Sequence, residues 1–236
     1  MVTASAVMRA AVLSLGRIGF DGLAALLLVV IGTNLLDFLT APAPGATPDA
    51  AFALAAIVRI GSVIWIGYVV QAKLVGSRAA FLIGTAFWRF AALQIAALLG
   101  MMLVRLIILR IAPPAPTLVG EWTSNLVGLA IWGLLSIRLL AWNAGLAADA
   151  PFGALGAIWR GQSGHDGAIA GAFIGLALPP AAFHLALTLV AVRMTMSPQS
   201  HVTIAVLDGL FSALQLALTC AIGAVALRLA SRPEPR

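Results

Sequence analysis

The sequence predicts an all-α polytopic bundle of about six transmembrane helices, with two short interfacial helices and both termini on the cytoplasmic side. Hydrophobic residues make up 62% of the 236-residue chain and charged residues 9%. A soluble domain carries roughly 25% charged residues, so water is not the solvent for most of this surface. The mean hydropathy of +1.07 agrees. Prolines cluster where apolar runs end, at Pro42, Pro44 and Pro48 and again at Pro113, Pro114 and Pro116. Proline cannot continue a helix, and such clusters mark turns in water.

Apolar runs place the spans near Ile18 to Leu39, Ala50 to Ala72, Phe90 to Ile111, Glu121 to Trp142, Gly167 to Val192 and Val202 to Leu227. Each reaches about the 20 residues that a bilayer core requires. Residues 1–17 read as a short amphipathic or frayed lead-in, 18–230 as the membrane domain and 231–236 as a basic tail. The first run is too long for a signal peptide and holds Asn34 and Asp37, so it reads as a retained span.

The chain has 14 Lys and Arg against eight acids. Ten of the cations fall at one set of span ends: Arg9, Arg17, Lys73, Arg78, Arg89, Arg138, Arg160, Arg228, Arg232 and Arg236. Arg105, Arg110 and Arg193 fall at the other, and Arg59 lies mid-span. By the positive-inside rule the ten mark the cytoplasmic side. The charge is thus a membrane signature rather than a nucleic-acid footprint. Cys220 is the single cysteine, so no intrachain disulfide forms.

Two cytoplasmic connections share a pattern: Phe81 followed by Trp88-Arg89, and Phe152 followed by Trp159-Arg160. Phe and Trp seven residues apart share a helical face, which suits a short helix in the headgroup layer. Lys73, Arg78, Trp88, Arg89, Trp159 and Arg160 are therefore the expected headgroup contacts. The recurrence also suggests a parallel repeat of 50–112 and 121–193. The segment Pro151-Phe152-Gly153-Ala154-Leu155, followed by Trp159-Arg160 and Gly164, resembles the YciC-like inner-membrane proteins and the related membrane domain of some bacterial glycerophosphodiester phosphodiesterases. Gln162-Ser163-Gly164-His165-Asp166 departs from that family's usually more basic sequence. The resemblance implies a bundle in the bacterial inner membrane without a settled activity, and no catalytic domain is carried over.

Polar groups within spans are costly and call for partners. Asn34, Asp37, Arg59, Arg105, His184 and Asp208 all fall at a similar depth in the outer half. They are the candidate binding cluster, with Asp37 or Asp208 as the counter-ion for Arg59. Either they form an outward-facing pocket for an anionic headgroup or small solute, or they tie helices together. Arg105 also has a snorkelling alternative. His184 with Asp208 could relay a proton. Asp208, Ser212, Gln215 and Thr219 form a polar stripe at i, i+4, i+7 and i+11, suited to bonding neighbouring helices or lining a path. Gly167, Gly171 and Gly175 form a small-residue face for close packing, within the bundle or in a homodimer.

No metal-ligand spacing, nucleotide loop or catalytic constellation is present in the sequence, and none of its motifs calls for a cofactor. The expected protein is a non-enzymatic multi-pass membrane protein that acts through lipid or membrane-protein contacts. A small transporter and an accessory subunit of a larger membrane complex are the alternatives. Membrane lipids are its expected partners, and nucleic acid is not.

Overall fold

A computed structural model describes residues 2–41, 47, 49–77, 80–115, 117–193 and 197–231. Every regular element among them is helical: α1 Ala4–Ser14, α2 Gly19–Thr40, α3 Ala50–Val75, α4 Thr85–Ile111, α5 Leu118–Leu135, α6 Ile137–Ala147, α7 Leu155–Gln162, α8 Asp166–Ala172, α9 Leu178–Arg193 and α10 Pro198–Ala230. Six helical stretches are long and apolar enough to cross a membrane. At 1.5 Å per residue, α3 alone spans about 39 Å, against about 30 Å of hydrocarbon. The chain is a multi-pass membrane protein.

Side-chain caps set the helix starts on one side of the bundle. Asp49 accepts from the Phe52 amide at 2.8 Å, Thr117 from Gly120 at 3.0 Å and Ser197 from Ser200 at 3.2 Å. These bonds satisfy donors that the first helical turn leaves unpaired. The opposite side carries Lys73, Arg89, Arg138 and Arg160 and is called the basic rim below.

Helix α10 is the axis of the bundle and packs against α1, α2, α3, α6, α7, α8 and α9. Its buried face holds Ala213, Ala217, Cys220, Ala221, Ala224 and Ala226, whose small side chains let neighbouring backbones approach. Buried Gln71 of α3 donates to the Cys220 carbonyl at 3.1 Å and ties α3 to that axis.

Three expectations about the elements change. Of the amphipathic or frayed lead-in expected at residues 1–17, the frayed alternative falls: residues 4–14 form a packed helix with Val7, Ala11 and Ser14 buried. Gly19, at φ +72°, breaks the chain between α1 and α2, a conformation that L side chains rarely adopt. The expected fourth span divides at Ser136 into α5 and α6. The two Phe…Trp-Arg connections also differ. Residues 152–162 form a 3₁₀ turn and the short helix α7, whereas Phe81 lies in a turn and Trp88 and Arg89 belong to the first turns of α4. Arg78 lies outside the described residues.

Pro179-Pro180 neither breaks nor ends its span. Residues 173–177 widen into a π-helical turn between α8 and α9. Proline lacks the N–H that an α-helical turn needs, and the wider turn absorbs that gap.

Candidate functional site

Asn34 and Asp37 stand at i and i+3 on α2, near its C-terminal end, with Arg59 ten residues into α3. Arg59 pairs with Asp37 across the α2–α3 contact. The pair leaves the arginine side chain 36% exposed and the aspartate 24%. Of the two counter-ions the sequence offered, Asp37 makes the direct contact, while Asp208 acts on Arg59 only as a nearby charge.

Asp208 has two side-chain partners, one on each neighbouring helix. Asn34 Nδ2 donates to its Oδ2 at 3.0 Å, and His184 Nδ1 lies 2.6 Å from its Oδ1. Ser212, one turn along α10, places its hydroxyl 3.0 Å from the same His184 Nδ1. Helices α2, α9 and α10 thus meet on one carboxylate. Burying a carboxylate demands such partners, because its desolvation is otherwise uncompensated. Asp208 and Ser212 both approach Nδ1, so the trio lacks a Ser-His-Asp triad geometry, in which the serine and the aspartate take opposite ring nitrogens.

The other sequence candidates divide. Arg105 does not join this cluster: it is exposed on α4 with no partner among the described residues, as snorkelling would place it. Gln215 has no partner among the described residues. Thr219 faces a separate cavity of ≈ 110 Å³ between α3, α4, α6 and α10, where Gln71, Gln94 and Asn143 also lie. A larger open groove, ≈ 500 Å³, runs between α1 and the end of α10. Neither void reaches Asp208 or Arg59.

The glycine face of the fifth span, on α8 and the π-helical turn after it, is occupied from within. A Cβ on Gly171 would fall 2.8 Å from Ala4 Cβ, and one on Gly175 would fall 2.8 Å from Met8 Sδ. Both glycines therefore admit α1. Gly167 has open space beside it and serves no close contact.

At the basic rim, cations and aromatic rings alternate. Lys73 bonds Asp21 at 2.5 Å and sits 5.1 Å from the Phe81 ring centre. Arg89 reaches Asp149 at 3.4 Å and the Ala150 carbonyl at 3.3 Å. Arg138 bonds Asp166 through Nε at 2.8 Å and lies over the Trp159 ring at 4.6 Å. Trp142 lies tilted against the same Trp159, ring centres 5.2 Å apart, and donates to the Leu155 carbonyl. Fully buried Gln162 joins this corner through Asp166 and the Ile137 carbonyl.

Three acids thus engage Lys73, Arg89 and Arg138. Arg9, Arg17 and Arg160 are exposed and have no acidic partner among the described residues. Exposed rings are close in sequence to two of them, Phe20 three residues after Arg17 and Trp159 just before Arg160, and exposed Trp88 precedes Arg89.

Sequence reasoning missed Asp21, Asp149, Asp166 and Gln162. The first three were legible as acids at span ends already rich in Lys and Arg. Gln71 was also legible, as a carboxamide inside an apolar run.

No family model matches the chain, and no curated protein and no solved structure is found to be similar to it. The likeness to YciC-like proteins accordingly rests on the short motifs alone.

Proposed function

We propose that this is a non-enzymatic multi-pass protein of the bacterial inner membrane that acts by gripping anionic lipid headgroups at its basic rim. The observation that carries this reading is the exposed Arg9, Arg17 and Arg160, without an acidic partner among the described residues, two of them close in sequence to exposed aromatic rings. An indole or phenyl ring anchors at the headgroup boundary, and a neighbouring guanidinium then meets lipid phosphate. Each such cation contributes about 1 kcal/mol on an anionic leaflet, about fivefold in affinity.

The outer cluster adds support of a different kind. Its charges close on one another across helices and adjoin neither cavity, which favours a packing role over a solute pocket.

Native mass spectrometry on the purified protein tests the reading. With phosphatidylglycerol and phosphatidylethanolamine offered together, the protein should retain the anionic lipid preferentially. Arg17→Gln with Arg160→Gln should reduce that preference by an order of magnitude or more. Equal retention of both lipids by the unmodified chain would refute it.

A further inference from the structure

We infer that the groove between α1 and the end of α10 seats one anionic phospholipid, with an acyl chain between the two helices and its phosphate at Arg228. The inference rests on the lipid reading above and carries it from the rim as a whole to one retained molecule.

The groove measures ≈ 500 Å³, within the roughly 300–1,000 Å³ that encloses a single bound molecule. Its walls are apolar: Ala6, Val7 and Ala10 of α1 stand across from Val225 and Leu229 of α10. Alanine at positions 6 and 10 leaves the space open, because nothing longer than a methyl group extends from α1 there. Helix α1 belongs to a helical stretch apolar enough to enter a membrane.

The end of α10 lies at the basic rim, where Gly161, next to Arg160, packs against the Ala230 carbonyl. Among the described residues that line the groove, exposed Arg228 is the one charged group, and none is acidic. Arg9 stands three residues after Ala6 and next to Ala10, so on the helix this second exposed cation borders the same space.

That combination selects the occupant. An apolar slot with a cationic mouth opens at the level where lipid phosphates lie, and basic pockets between membrane helices hold acidic lipid headgroups in this way. A guanidinium forks onto two phosphate oxygens, which fixes the headgroup while the chain follows the slot inward. A zwitterionic lipid brings its own ammonium to the same mouth and meets Arg228 and Arg9 as like charges.

Native mass spectrometry of the full chain through stepwise detergent washing tests the inference, with phosphatidylglycerol and phosphatidylethanolamine offered together. One phosphatidylglycerol per chain should outlast the rest. Arg9→Gln with Arg228→Gln should weaken its retention about 25-fold, about fivefold for each cation. Ala6→Phe fills the slot, leaves every charge in place and should also release the lipid. All three side chains are exposed, so these variants leave the buried core untouched. Arg17→Gln with Arg160→Gln should lower the looser anionic preference and leave this lipid seated. Retention of the lipid in Ala6→Phe, or an equal claim of phosphatidylethanolamine on the retained place, overturns the inference. An anionic preference in which no lipid outlasts the washing overturns it too, and leaves the rim reading standing.

Discussion

Helices α4 and α10 are both long and almost equally apolar, yet they occupy opposite environments. More than half of the most apolar stretch of α10 is buried, and none of that of α4. The difference lies in side-chain size rather than in polarity. Residues 98–111 of α4 are nearly all Leu, Ile, Met or Val, and Leu99, Met102, Leu103 and Leu106 are exposed. The core face of α10 is built mostly from Ala, Gly and Cys, with Leu218, Ile222, Val225 and Leu229 among them. Lipid is as apolar as leucine, so burial in a bilayer goes to the helix whose surface allows the closest backbone contact.

Gly223 is where that contrast breaks most violently. A Cβ there would fall 2.7 Å from the Leu140 carbonyl oxygen on α6, against backbone that cannot swing aside. Gly223→Leu should cost about 3 kcal/mol or more, seen as loss of the monodisperse detergent-solubilised species.

The next largest effect concerns the charges around the axis. Asp37→Asn strips Arg59 of its partner and should cost about 1–2 kcal/mol, less than a fully buried cation would because the side chain is part-exposed. Arg59→Gln on its own should also lower the melting temperature. The double variant should recover most of the loss, and a double-mutant cycle measures the coupling. Strict additivity of the two losses would contradict the pairing.

On α4, Leu103→Ala should change stability by about 0.5 kcal/mol or less, because the side chain leaves lipid rather than protein. Arg105→Gln should produce the smallest change of all in thermal unfolding. A large loss from either would place α4 inside the bundle or at an interface with another chain.

This contrast also explains what the sequence could and could not disclose. Hydropathy and proline clusters located all six spans because bilayer thickness and the missing proline N–H act locally. Asp37, Asp208 and His184 were legible as partners because an intramembrane charge needs one and only a few groups shared its depth. Arg105 shared that depth yet lies apart, since depth says nothing about which way a helix face turns. Helix α1 was legible only as an amphipathic or frayed lead-in because its buried residues, Val7, Ala11 and Ser14, are few. The glycines that admit α1, Gly171 against Ala4 and Gly175 against Met8, lie more than 160 residues away along the chain. The division of α5 from α6 at Ser136 falls within a continuous apolar run and leaves no hydropathic trace.

Site-directed spin labelling tests the central arrangement most directly. In a Cys220→Ala background reconstituted in lipid, single labels at 99, 102, 103 and 106 of α4 and at 213, 217, 221 and 224 of α10 would be exposed to oxygen, which concentrates in the acyl chains. High collision rates on α4 with low rates on α10 are expected. Comparable rates on both helices, or the reverse order, would contradict an axial α10 and a lipid-facing α4.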